Sequence, residues 1–295
     1  MLRIRRVFDD LLPIDAREIS QVQQMLRGQF PDVDADEIDA LPERLRNPLK
    51  YRFRRSLYVS DDVNGNVRGF ALVLHEPGIR FWFLDYIAAT LRGTGGGVGG
   101  TLYARVREEA AASDAIGLFF ECSPDDPERV ADRSLLKQNI ARLRFYERFG
   151  VRPLTGNEYH APIKAGQLDM PYLMYDNLDS GHPLTRSKTR QVVRAILERK
   201  YAEICPPDFI SMVVNSFRDD PIRVRETRYH KPDAGTKAPS TRPSVVRACV
   251  ALVINDKHDI HHVHDRGYVE SPVRIAAIQS ELALNQAYFE GLFAE

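Results

Sequence analysis

Six glycines fall in eight residues, Gly93-Thr94-Gly95-Gly96-Gly97-Val98-Gly99-Gly100, and Arg92 stands just before them. The run separates an apolar, strand-like stretch (79–89) from a stretch with helical spacing (98–112). Without Cβ atoms, the backbone N–H groups of such a loop can approach a ligand closely. A helix that opens on the loop adds unpaired N–H donors and the positive end of its dipole, which favours an anion. The dipole alone contributes ~0.3–1 kcal/mol at an exposed site, so the N–H array must supply most of the grip. A mere turn would not justify so many adjacent glycines, because each costs backbone entropy.

The chain has 295 residues, with Lys+Arg and Asp+Glu both at 41. That balance points to no nucleic-acid partner and no anionic membrane. With 43% hydrophobic and 28% charged residues, it can bury a sizeable core. Cys122, Cys205 and Cys249 are widely spaced, which argues against a disulfide framework or a cysteine-based zinc site and favours a reduced, cytoplasmic setting. No metal is expected. Residues 1–10 lack the apolar core of a signal peptide, and the run 81–91 is too short to cross a bilayer and carries Asp85.

Alternation over 2–8 predicts a first strand, and helical spacing follows over 15–27 and again near 36–45. Strands are expected at 56–60, 67–75 and 79–89, with an Asn64-Gly65 turn between the first two. After the helix 98–112 comes an apolar strand, 115–122, of the kind buried on both faces. Residues 123–138 read as a charged excursion, 139–148 as a helix with Gly150 as its C-cap, and 158–164 with 172–176 as a closing strand pair. Helices are expected at 185–201, whose basic face suits either solvent or an acidic partner, and at 209–217. Residues 231–244 have linker composition, and 245–254 followed by 272–292 form a strand–helix segment. The expected fold is α/β (α+β): a mixed, mostly antiparallel sheet flanked by helices over 1–180, a helical extension over 181–230, the linker, and a small segment over 245–295.

Three separated stretches carry a family likeness. They are Arg92-Gly93-Thr94-Gly95-Gly96-Gly97 after Tyr86-Ile87-Ala88-Ala89, the strand end Leu118-Phe119-Phe120-Glu121-Cys122, and Asn139-Ile140-Ala141 with Phe145-Tyr146-Glu147-Arg148-Phe149-Gly150-Val151. Together, over roughly 1–180, they resemble the GNAT family of acetyl-CoA-dependent N-acetyltransferases. The resemblance implies that Arg92, Gly93, Thr94, Gly95, Gly96, Gly97, Val98 and Gly99 hold the coenzyme A pyrophosphate. It places Asn139 on the pantetheine arm and the backbone of Ile87, Ala88 and Ala89 beside the thioester oxygen. A lysine-type amine has pKa ~10.4 and must lose a proton to attack. Glu121 fits the general base, Asp85 is the second candidate, and Tyr146 fits the general acid for the departing thiolate. The residues alone leave other readings open: Glu121 as a strand-end carboxylate paired with an arginine, Asp85 as structural, and Tyr146 as an amphipathic core residue. The acceptor is then a small-molecule or protein amine. A non-catalytic acyl-CoA-binding regulatory module is the alternative.

Gly95-x-Gly97-x-x-Gly100 also satisfies a dinucleotide fingerprint, with Glu121 where a ribose-binding acid belongs. Against it, the loop follows an antiparallel meander, no further βα units follow Glu121, and Arg92 has no part in that fingerprint.

Val250-Ala251-Leu252-Val253-Ile254 and His264-Asp265-Arg266-Gly267-Tyr268-Val269-Glu270-Ser271-Pro272-Val273-Arg274 resemble the opening of the histone deacetylase/acetylpolyamine amidohydrolase family. That likeness covers only 245–295, short of the family's zinc ligands, so it implies no deacetylase activity. His258, His261, His262 and His264 read as loop histidines and not as a metal set. The expectation is that this segment packs on the first domain or on another chain, in a homo-oligomer or with a deacetylase-like chain.

Overall fold

In the computed structural model, residues 3–47, 50–51, 53–90, 97–161 and 170–230 are described. Arg92, Gly93, Thr94, Gly95 and Gly96, the linker and the deacetylase-like segment with its four histidines lie outside them.

Seven strands form one sheet: β1 (Arg3–Val7), β2 (Arg54–Asp61), β3 (Val67–Glu76), β4 (Phe81–Ala89), β5 (Leu118–Cys122), β6 (Arg152–Pro153) and β7 (Tyr172–Asp176). Their order is β1-β2-β3-β4-β5-β7-β6. Every neighbouring pair is antiparallel except β4–β5. A parallel pair needs a crossover, and α4 (Val98–Ala112) supplies it. The expected turn between β2 and β3 forms. Asp62 accepts the Asn64 and Asn66 N–H groups at 2.9 and 3.0 Å, while Gly65 takes φ +71°. One parallel pair among the described strands is not the doubly wound sheet that a dinucleotide fingerprint requires.

Successive strand residues face opposite ways, so two cores form. Leu57, Val59, Phe70 and Leu72 lie under α1 (Pro13–Gln29), α2 (Ala35–Asp39) and α3 (Leu41–Arg46). On the same face, Leu74, Phe83, Phe119, Leu173 and Tyr175 lie under α6 (Arg186–Arg199) and α7 (Pro207–Ser216). The residues expected as a helical extension thus share a core with the sheet. On the other face, Val73, Leu84, Leu118, Phe120 and Met174 pack against α4 and α5 (Arg133–Glu147). Cover on both sides explains why β5 reads as an unbroken apolar run.

Two local expectations are corrected. The strand at 158–164 does not form where it is described: Asn157 takes the Tyr159 N–H at 3.0 Å and turns the chain, and β7 pairs with β6 instead. Helix α5 starts at Arg133, inside the expected excursion, because Asp132 caps it by accepting the Ser134 and Leu135 N–H groups.

A strap closes the described part. Val224 bridges to Leu154, and the Arg225 N–H donates to the Pro153 carbonyl at 2.9 Å. The Glu147 carboxylate then accepts three successive backbone N–H groups, from Arg228, Tyr229 and His230, at 3.1, 2.8 and 3.0 Å. Buried Asp125 accepts from Arg225 at 2.8 Å, from Arg228 at 3.2 Å and from the Tyr229 hydroxyl at 2.5 Å.

Candidate functional site

Strands β4 and β5 pair only at Trp82↔Leu118, Phe83↔Phe119 and Leu84↔Phe120. Beyond those pairs β4 follows β3 and β5 follows β7, so the two strands part. The register of β3 on β4 jumps there: Leu72 faces Tyr86 and Val73 faces Leu84, leaving Asp85 as an extra residue. Such a bulge bends its strand and re-aims side chains. Phe83 and Tyr86 therefore share a face although three positions separate them. Past the bulge, β4 presents Ile87, Ala88 and Ala89 along one side of the gap, and β5 presents Glu121 and Cys122 along the other.

Helix α4 begins at the outer end of β4. Gly97 caps it in the left-handed region at φ +69°, with no side-chain cap and no acidic residue in the first turn. The first helical bond, from Thr101 N–H to Gly97 carbonyl, leaves the N–H groups of Val98, Gly99 and Gly100 ahead of it. Among the described residues, a Cβ on Gly97 or Gly99 would meet nothing within 4 Å. Behind the turn there is no such room. A Cβ on Gly69 would lie 2.8 Å from both the Ala88 carbonyl oxygen and Val98 Cγ1. Gly69 lets this helix end settle on β3 and β4. A helix N-terminus with no side-chain cap and no acid in its first turn fits a diphosphate.

Both candidate carboxylates turn toward the face that α6 covers. Half-buried Glu121 accepts from the Tyr159 hydroxyl at 2.7 Å and from the Tyr201 hydroxyl. Burial, and then the Glu121 charge, push both phenols well above their ordinary pKa, so they stay protonated donors. Asp85 is ion-paired with Lys200 and lies 3.8 Å from Arg55, while its Oδ2 is buried without a hydrogen bond. Burial works to lower the Lys200 pKa. The Asp85 charge and hydrogen bond, with Tyr86 and Glu121, together outweigh it, and the net shift is upward, so Lys200 is an ammonium.

Tyr146 lies on the opposite face. Its ring packs 4.4 Å from that of Phe120, centroid to centroid, and 5.1 Å from Tyr103. Burial pushes its phenol far up, and the Cys122 thiol, itself raised to about 12 by burial, adds to that. Asn139 is buried, and its Nδ2 donates to the Pro124 carbonyl at 2.9 Å, tying α5 to the end of β5.

A groove of about 1070 Å³ runs between α2–α3 and the end of α6. Glu37, Arg55, Tyr86, Lys200 and Tyr201 line it. The structure thus gathers Glu121, Asp85 and the outer end of β4 around one gap, with Tyr146 against β5 from behind. Tyr159, Lys200 and Tyr201 complete the site and were missed in the sequence. Lys200 caps the C-terminus of α6 and Tyr201 follows it, in a stretch whose sequence reads only as an amphipathic helix with a basic face, and Tyr159 sits in a stretch that reads as a strand. Among the described residues no cluster could hold a metal ion, and no helix is long and apolar enough to cross a membrane.

No protein-family model matches the sequence, and no curated protein is similar to it. Solved structures similar to it include an aminoglycoside 6'-N-acetyltransferase complexed with coenzyme A, at 18% identity and TM-score 0.44 over 60% of this chain and 97% of that one. An acetyltransferase of the GNAT family from Staphylococcus aureus Mu50 has 15% identity and TM-score 0.42, over 61% of this chain and 100% of that one. The aminoglycoside 6'-N-acetyltransferase from Enterococcus faecium has 16% identity and TM-score 0.42, over 60% and 97%.

Proposed function

We propose that this chain is a GNAT-type N-acetyltransferase that moves an acetyl group from acetyl-CoA to a primary amine by direct attack, with no acyl-enzyme. One observation carries the reading. The only parallel strand pair among the described strands opens at the Asp85 bulge, and the open side meets an uncapped glycine N-terminus. The first N–H groups of α4, with Arg92 and Gly93–Gly96, take the diphosphate. The unpaired edge of β4 past Asp85 offers alternating N–H and C=O groups to the extended pantetheine, as a sheet edge does to an added strand. N–H groups around Ile87–Ala89 meet the charge that grows on the thioester oxygen.

The amine nitrogen attacks the thioester carbon, the C–S bond breaks, and Glu121 takes the proton that the amine loses. Tyr146 donates a hydrogen bond to the leaving sulfur. Asp85 is the second candidate base. Asn139 supports this reading through α5, which it fixes beside the gap.

A second reading is a non-catalytic acyl-CoA-binding module. It is favoured by the partners that both carboxylates already hold, Glu121 two phenols and Asp85 Lys200. Thiol release from acetyl-CoA with a panel of primary amines separates the two. Turnover that Glu121→Gln and Tyr146→Phe each depress supports the enzyme. Calorimetric binding of acetyl-CoA with no turnover for any amine supports the module, and turnover indifferent to both substitutions removes the assigned roles.

A further inference from the structure

Lys200 holds a place that the acetyl-transfer mechanism does not use. Its ammonium touches Asp85 and stands 5.6 Å from the ring centres of Phe83 and Tyr86 and 5.1 Å from that of Tyr201. Three ring faces and a carboxylate make a cage for a primary ammonium. Tyr201 also donates to Glu121, so one ring of this cage ties it to the second carboxylate at the opening of β4 from β5. Asp85 directly follows Leu84, the last residue of β4 paired with β5, and Glu121 directly follows Phe120, its partner on β5. The end of Lys200 therefore sits beside the opening that carries the acyl group on the acetyl-transfer reading. It also lines the groove, which gives protons a way out to water.

Resting on the acetyl-transfer reading above, we infer that the chain acetylates its own Lys200. The ammonium gives one proton to Asp85 along their existing contact. The freed lone pair attacks the thioester carbon, an N–C bond forms and the C–S bond breaks. The second proton lost by the nitrogen ends on the sulfur of coenzyme A, and Asp85 passes the first to water in the groove. The product amide carries no charge. Asp85 loses its close cation and keeps only Arg55 at 3.8 Å. Before the step, an ammonium entering the groove meets the like charge of Lys200; after it, the same ammonium finds a carboxylate beside three rings. Self-acetylation thus primes the site for an outside amine, and turnover begins with a lag.

The test is tryptic mapping of the full chain after incubation with acetyl-CoA alone. Exposed Lys137 and Lys188 report the background reaction. A buried, ion-paired ammonium should react more slowly than they do unless the fold directs the acyl group to it. The expected result is one acetyl group on Lys200, gained at least about tenfold faster than on Lys137 or Lys188, at a rate independent of protein concentration. In the urea-unfolded chain that preference disappears. Lys200→Arg keeps the positive charge, binds acetyl-CoA, takes up no acetyl group at this position, and stays at the slow initial rate with no later acceleration. Lys200 unmodified, or modified no faster than Lys137 and Lys188, overturns the inference. If outside amines are still turned over in that case, it fails alone. If acetyl-CoA does not bind at all, the acetyl-transfer reading fails with it.

Discussion

The Glu121 carboxylate and the Tyr146 ring lie on opposite faces of the sheet, with β5 between them. Glu121 bonds to Tyr159 and Tyr201 under α6, whereas Tyr146 stacks on Phe120 under α4 and α5. On the proposed reading, a thioester in the gap would meet Glu121 from one side and Tyr146 from the other, which separates the group that takes a proton from the group that bonds the leaving sulfur.

Tyr146→Phe tests the donor. The phenol is pushed so far up by burial that it stays protonated through the neutral range, so it lends a hydrogen bond more readily than a whole proton. The expected loss in kcat is about 10²-fold, the low end for acid–base assistance. The rate of thiol release should show no basic limb from this group between about pH 6 and 9.

Glu121→Gln tests the base. It removes the proton acceptor and leaves one of the two phenols without a partner. A fall in kcat of ~10²–10⁴ is expected. Acetyl-CoA affinity by calorimetry should hold, because the proposed reading puts Glu121 on the acceptor side and the diphosphate at the end of α4. Loss of affinity in step with rate would relocate Glu121 to the acyl-CoA site.

Gly69→Val tests how α4 is seated. The new Cβ collides with a backbone oxygen, which cannot swing aside, and with Val98. The expected cost is roughly 1–3 kcal/mol of stability, as for overpacking elsewhere. Because the collision lies under the first turn of the helix, acetyl-CoA binding should weaken more than that of a variant equally destabilised at a distance. Denaturant unfolding and calorimetry on both variants decide it.

The strap should respond to acid. Burial works to raise the Asp125 pKa, but Arg225 and Tyr229 outweigh it, so its folded value lies below the unfolded ~3.9. A depressed carboxylate contributes stability in full above its unfolded pKa and loses it as pH falls through the folded one. Asp125→Ala leaves half-buried Arg225 with only Glu147, at 3.9 Å, and about 2–3 kcal/mol is expected to go. The variant's melting temperature should also depend less on pH below about 4 than the parent's. An unchanged acid limb would remove Asp125 from the account.

Much of this was legible in the sequence where one short-range rule governed. Alternation and the Asn64-Gly65 turn gave the meander, helical spacing after the glycines gave α4 with its observed ends, and an apolar run ending in Glu121 gave a doubly covered strand. Residues that act through tertiary contact were hidden. Nothing in a basic helix says that its last lysine will reach a carboxylate 115 positions away in sequence. The bulge was hidden too, since it exists only as a mismatch between two strands. Tyr159 escaped because the Asn157 turn overrode the strand pattern around it.

That mismatch has its own consequence. A strand shows its two sides in strict turn, and β4 slips the count once, at Asp85. Removing this single residue would rotate Tyr86, Ile87, Ala88 and Ala89 each to the wrong side, sending Tyr86 into the α4 core and Ile87 into the groove. The outer half of β4 can change its letters far more easily than its length.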